Sequence, residues 1–347
     1  MLQKVKYGIA FALALMLVGN ASAQIDNTAT ITKTGTAAAQ FLKIGVDARS
    51  AAMGSAFAAM GGSLGSIHTN PAGLAKIQGM EAVFTHQEWL ADINFNYFAF
   101  AFKIAGFGAL GASVTSLSTP EDIVRTVEQP DGTGERFSSN DLAINLSYSR
   151  ELTDRFSIGA NMKFIRQNIW HSNANGAALD FGVLFTMPIR NIRLGASLTN
   201  FGANMRMQGR DLRFSEDPDP NNQGNVEFIN AALETDAFAL PLAFRVGISG
   251  ELIRNDNIRV SFAMDAIEPN DNSSSVNSGL EFEFSETLSL RSGYARLFQQ
   301  DAQGGLTFGA GLKMRPGQSA SPLFIDYAYG NFGVLESVHR FSIGMKF

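Results

Sequence analysis

From Gly79 onward the chain alternates apolar with small or polar side chains in segments of about ten residues, separated by turn residues. Residues 340–347 show it most plainly. Phe341, Ile343, Met345 and Phe347 fall on one face of an extended chain, and Arg340, Ser342, Gly344 and Lys346 on the other. Leu142, Ile144, Leu146 and Tyr148 oppose Asn145, Ser147 and Ser149 in the same way. Phe156, Ile158, Met162 and Phe164 oppose Ser157, Gly159, Asn161 and Lys163. One face suits lipid and the other a wet interior. Turn signals divide this region into about fourteen strands. They begin near Met80, Asn94, Phe107, Ser138, Phe156, Ala177, Ile192, Leu240, Asn257, Val276, Leu288, Gly305, Leu323 and Ser337.

The connections fall into two classes. Ile104-Ala105-Gly106, Leu152-Thr153-Asp154-Arg155, Pro188-Ile189-Arg190-Asn191, Arg254-Asn255-Asp256 and Ser285-Glu286-Thr287 are tight. Those between them are longer and more polar, notably 119–136 and 207–239. Short periplasmic turns alternating with long extracellular loops belong to an outer-membrane barrel; a soluble sandwich has no reason to produce them. In lipid every backbone donor and acceptor must be paired, so the last strand has to meet the first. Trp89, Tyr97, Trp170, Tyr294, Tyr327 and Tyr329 are candidates for the aromatic girdles at the membrane interfaces.

The start of the chain supplies the route to that membrane. Lys4 and Lys6 precede an apolar run from Ile9 to Val18, and Ala21-Ser22-Ala23 gives the small-x-small pattern of a cleavage site. The expected signal peptide is 1–23, with the mature chain starting at Gln24. The apolar run is shorter than the roughly 20 residues a spanning helix needs. Losing Lys4 and Lys6 takes the formal net charge from −5 to −7. No basic stripe remains to neutralise phosphates, so nucleic acid is not an expected partner. Mean hydropathy near zero is uninformative, because alternation hides lipid-facing residues from an average. The chain has no cysteine, which excludes disulfides and Cys-based metal sites.

Residues 37–75 are rich in Gly, Ala, Ser and Met and lack clean alternation, so they read as a compact non-strand region. Phe41-Leu42-Lys43-Ile44-Gly45-Val46-Asp47-Ala48-Arg49-Ser50-Ala51-Ala52-Met53-Gly54-Ser55-Ala56-Phe57, followed by Thr69-Asn70-Pro71-Ala72-Gly73-Leu74-Ala75, resembles the N-terminal signature of the PorV/PorQ family. His68-Thr69 departs from that family, where an aromatic commonly precedes Asn-Pro. The resemblance implies a relative of the FadL-type fatty-acid channels, with a fourteen-stranded barrel and an N-terminal plug. The division expected is signal peptide 1–23, N-terminal extension and luminal plug 24–78, and transmembrane barrel 79–347, in the outer membrane with the plug toward the periplasm.

The residues fit a plug. Glycines and alanines permit close packing, and Asn70-Pro71 reads as an N-cap with proline at the first helical position. Asp47, Arg49, Gly54, Asn70, Pro71 and Gly73 are the expected plug motif. Lys163, Arg245, Arg259, Glu281, Glu283, Arg291 and Asp326 lie on the polar sides of their strands. They are the expected lumen-facing charges, serving hydration or pairing with Asp47 and Arg49. Phe228, Ile229, Leu233 and Phe238 are apolar within a connection expected outside; they read as a lid on the barrel or as a partner contact.

Candidate chemistry is sparse. Gly106-Phe107-Gly108-Ala109-Leu110-Gly111 matches a dinucleotide fingerprint but runs into a strand instead of a helix. Gly61-Gly62-Ser63-Leu64-Gly65 matches a nucleophile elbow with no histidine placed beside Ser63. His68, His86, His171 and His339 lack zinc spacing, and Asp217-Pro218-Asp219-Pro220-Asn221-Asn222 reads as a solvated loop more than a calcium site. No enzyme activity, cofactor or metal is expected. The expected partners are outer-membrane lipid and, as the resemblance implies, type IX secretion components and the C-terminal sorting domains of their cargo. A FadL-like conduit for hydrophobic ligands such as long-chain fatty acids is the alternative.

Overall fold

Alternation at period two places bulky apolar groups on one side of each strand and Ser, Thr, Asn, Gly or a charge on the other. A sheet so divided can close into a cylinder with its oily side out. A computed structural model of the chain describes residues 33–189, 191–218, 228–299, 302–315 and 321–347. The signal peptide, residues 24–32 and Asp219 to Asn222 lie outside the described residues. The first seven barrel strands are β1 (Met80–Glu88), β2 (Asn94–Ile104), β3 (Gly108–Ser118), β4 (Ser139–Thr153), β5 (Phe156–Ile169), β6 (Ser172–Thr186) and β7 (Arg193–Gly202). The other seven are β8 (Ala243–Arg254), β9 (Ile258–Pro269), β10 (Ser275–Phe284), β11 (Leu288–Leu297), β12 (Leu306–Met314), β13 (Leu323–Asn331) and β14 (Ser337–Lys346).

Each strand runs antiparallel to its sequence neighbour, and β14 closes the cylinder against β1 with Glu81 opposite Lys346 and Glu88 opposite His339. The fourteen-stranded antiparallel barrel is therefore shown. Its outer face carries a continuous apolar belt. Phe84, Phe98, Val114, Ile144 and Phe164 stand side by side from β1 to β5. Phe84, Ile343, Ile325, Leu312 and Leu288 continue it the other way round. All are exposed. Burying one such side chain is worth roughly 1.5–3 kcal/mol, so the belt is stable only against hydrocarbon.

Tight turns of the chain join β2 to β3, β4 to β5, β8 to β9 and β10 to β11 at one mouth, where Met80 and Phe347 also meet through Phe347 N donating to Met80 O at 2.8 Å. The connection 203–242 at the opposite mouth carries two short ribbons, Arg213–Glu216 with Ile229–Ala232 and Met205–Arg206 with Ala237–Phe238. One connection at that mouth breaks the expected alternation. β5 and β6 are joined by Trp170 and His171 alone, because β6 starts at Ser172 and not near Ala177. Gln208 and Gly209 pair with Asn173 and Ser172 and extend the sheet there.

Tyr97 is also corrected: it points inward and is buried, not part of an outer girdle. β2 carries aromatics on both faces, and Phe95 and Tyr97 meet the segment inside the barrel. That segment, 33–78, holds α1 (Ala48–Ala52), α2 (Ser66–Thr69) and two 3-10 turns, Gln40–Lys43 and Pro71–Lys76. Asp47 caps α1 by accepting from Ser50 N at 3.1 Å. Asn70 caps the second 3-10 turn by accepting from Ala72 N at 3.1 Å, with Pro71 following. Phe41, Leu42, Ile44, Leu64, Ile67 and Leu74 pack with inward residues of the wall as the main apolar core.

Candidate functional site: the occupied lumen and the outer rim

Parts of the wall facing segment 33–78 carry glycine and so present bare backbone to it. Glycines stand directly opposite each other in three pairs, Gly159 with Gly182, Gly195 with Gly247, and Gly279 with Gly293. Their missing Cβ positions are filled by backbone of the inner segment: Pro71 and Ala72 over Gly159, Ala58 over Gly195, Met53 over Gly279. Strand side chains then bind that backbone. Asp265 accepts from Phe57 N at 2.7 Å and Ala58 N at 2.8 Å. Ser342 Oγ accepts from Ala48 N at 3.1 Å, and Ser197 Oγ donates to Thr69 O at 2.7 Å. These strands lie around the whole cylinder, so the segment is held from several sides.

Among the expected motif residues, Arg49 forms a two-pronged pair with Glu281, Nε to Oε1 at 2.9 Å and Nη2 to Oε2 at 2.7 Å. Glu281 also accepts from Arg291 Nε at 2.7 Å, and Arg291 pairs with Asp326. The four groups form one buried chain of alternating charge, with most lone pairs and donors satisfied. Burial opposes the charge on Arg49, but Glu281 outweighs it and pushes the guanidinium up. Asp47 is pushed up by burial and then by Asp326, with its bond from Ser50 acting the other way. Asn70 Nδ2 donates to Ala58 O at 2.6 Å and Val183 O at 2.9 Å, tying the cap to the wall. Gly54 has φ +65° and donates to Thr307 Oγ1 at 3.0 Å, and Gly73 packs on Ser66.

The remaining charges separate. Lys163 pairs with Asp180 at 2.8 Å and donates to Asn200 Oδ1 at 2.8 Å, at a register shift between β6 and β7. Arg259 pairs with Glu283 beside a cavity of about 140 Å³ near the tight-turn mouth, which Asp47, Arg49, Glu81, Glu281 and Lys346 also line. Arg245 Nε is buried with no hydrogen-bond partner among the described residues. His68 on α2 is pushed well down, by burial first and then by Arg245, Lys163 and Arg340. Ser63 Oγ accepts from Gly65 N at 3.2 Å within the inner segment.

Sequence reasoning missed Asp265, the paired glycines and the Gln40 and Lys43 contacts described below. The only signal for the glycines was their place on the polar faces, and their pairing depends on register. At the outer rim, Phe228, Ile229, Leu233 and Phe238 are exposed. Ile229 lies on the ribbon Ile229–Ala232, whose partner Arg213–Glu216 is exposed along its length.

A closed antiparallel cylinder with an apolar outer belt and a polar, occupied interior is an outer-membrane β-barrel. Residues 26–190, taking in the inner segment and β1 to β6, match the family model described as Type IX secretion system protein PorV. The motifs 41–57 and 69–75 fall inside that match. No curated protein matches the sequence. Among solved structures, the P. putida toluene transporter TodX is similar at 12% identity and a TM-score of 0.56, over 87% of this chain and 99% of that one. The Ralstonia pickettii toluene transporter TbuX gives 14% and 0.54, over 87% and 97%. A Pseudomonas aeruginosa FadL homologue gives 11% and 0.53, over 86% and 97%. At these identities the likeness shows the fold: a FadL-like barrel.

Proposed function

We propose that this barrel serves type IX secretion as a docking protein at the cell surface, receiving secreted proteins through their C-terminal sorting domains. The observation that carries the reading is the PorV family match, which covers the segment that occupies the lumen. A lumen occupied from wall to wall leaves no passage for a folded domain, so cargo is met on the long loops. The exposed apolar residues Phe228, Ile229 and Leu233 supply a surface for that meeting. The role is binding and hand-over, and no catalytic step is assigned to any residue, Ser63 included. Segment 33–78 is the plug, set by Asp47, Arg49, Gly54, Asn70, Pro71 and Gly73.

Deletion of the gene is expected to leave cargo unprocessed in the periplasm. Phe228→Ser, Ile229→Ser and Leu233→Ser combined are expected to lower cargo display while the barrel stays assembled. Normal display in the deletion strain rules the reading out. The alternative, a conduit for hydrophobic small molecules, is favoured by the fold shared with two toluene transporters. Fatty-acid and hydrocarbon uptake in the same deletion strain separates the two: unchanged uptake, with no lipid co-purifying, removes the conduit.

A further inference from the structure

The inner segment traverses the barrel, and its first turn lies at the long-loop mouth. Ala38 N donates to Ala239 O at 2.8 Å, within the connection 203–242. Ala39 N donates to Gln167 Oε1 at 2.8 Å, near the end of β5. Gln40 Nε2 and Lys43 Nζ converge on Asp271 Oδ2 at 2.9 and 2.8 Å, in the turn between β9 and β10. At the opposite end Lys76 pairs with Glu151 at 2.6 Å beside the turn from β4 to β5, and β1 begins there. The expectation of a plug toward the periplasm therefore describes the Pro71–Lys76 end and the Asp47 and Arg49 region, and not the first turn. Phe41, Leu42 and Ile44 are buried with Leu117, Ala143, Ile165 and Leu240, which makes an apolar stopper at the long-loop mouth.

We infer that residues 33–43 form a strap that closes the extracellular mouth and is latched by Asp271. The Asp271 carboxylate is nearly inaccessible, at 3% exposure against 37% for the Lys43 side chain, and its buried Oδ1 has no hydrogen-bond partner among the described residues. A buried carboxylate is tolerated only while donors hold it. Among the described residues both donors that reach Asp271 Oδ2 come from the strap, so release of the strap leaves that carboxylate to water. The strap is therefore held in one of two arrangements: seated and dry, or lifted and hydrated. Lifting it uncovers the apolar ends of β3, β4 and β5 to the outside.

The absence of cysteine from the sequence makes single-cysteine labelling clean. Intact cells are treated with a membrane-impermeant maleimide. Thr36→Cys on the exposed start of the strap and Val127→Cys, at a fully exposed position in the connection 119–138, are expected to react. Ser285→Cys in a tight turn is expected to react only after permeabilisation. Leu42→Cys is expected to be protected, and to react on the order of tenfold faster when combined with Asp271→Ala. Where Asp271→Ala does not assemble, Lys43→Met removes the same ion pair from the strap side. A silent Thr36→Cys beside a reactive Val127→Cys overturns the placement of the strap. An unchanged Leu42→Cys rate in both latch variants overturns the latch. Reactive Ser285→Cys with silent Val127→Cys means an inverted barrel and overturns the extracellular assignment.

Discussion

Gly195→Ala tests whether the inner segment is seated as tightly as its geometry states. A Cβ at this position stands against the Ala58 carbonyl, 2.6 Å from its carbon and 2.9 Å from Ala59 Cα. Ordinary contact needs about 3.5 Å or more, so the segment or the strand must give by about 1 Å. The obstacle is backbone, tied down by Asp265 through the Phe57 and Ala58 amides, and no rotamer change relieves it. Overpacking of this kind costs roughly 1–3 kcal/mol. Gly→Ala also stiffens the unfolded chain, a gain of about 0.4–1 kcal/mol that works the other way. Gly111→Ala supplies the comparison, because the atoms nearest its Cβ are the ends of Leu74 and Ile67 and the Ala101 methyl, at 3.1 to 3.3 Å, with no backbone among them. Both variants share the unfolded-state gain, so their difference isolates the clash. The assay is guanidinium unfolding of the purified barrel in detergent, with limited proteolysis of the inner segment. Gly195→Ala is expected to unfold at lower denaturant and to release the segment to protease, with Gly111→Ala close to wild type. Equal behaviour of the two refutes backbone contact at this wall.

Glu281→Ala strips a partner from both Arg49 and Arg291 and is expected to cost about 3–5 kcal/mol. Arg49→Ala leaves Glu281 with Arg291 and is expected to cost less, about 1.5–3 kcal/mol; equal losses in denaturant unfolding count against a shared network. His68 is held below its ordinary value near 6.5 by burial and by Arg245, Lys163 and Arg340. The seated segment therefore takes up fewer protons than the released one. Seating is fully present above about pH 6.5 and weakens as pH falls below it. Protease release of the segment should rise between pH 7 and 5, and the rise should flatten in His68→Gln; the same pH profile in both assigns the effect elsewhere.

Most of the wall was legible because period-two alternation is local: β1, β2, β5, β11, β13 and β14 begin at the residues where turns and pattern place them. β6 was read short since Ser172, Asn173 and Asn175 carry no apolar signal and are ordered by pairing with β5 and Gln208. β8 starts at Ala243, three residues after Leu240, which is buried against the inner segment instead. The inner charges were legible as a class, being on the polar faces, but not as pairs. Arg49 and Glu281 are 232 residues apart, and only closure of the cylinder brings them together. Tyr97 misled because position near a strand end does not tell which face an aromatic takes when its neighbours Phe95 and Phe98 are aromatic too.

The seam between β14 and β1, with Glu81 opposite Lys346, bears on how the molecule is made. A ribbon that enters at one opening, is gripped from Ser342 on one side and Ser197 and Asp265 on others, and continues directly into the first stave cannot be threaded afterwards without undoing those grips. The staves must instead be laid around it, with the last one sealing the cask only after the whole chain has been delivered to the membrane.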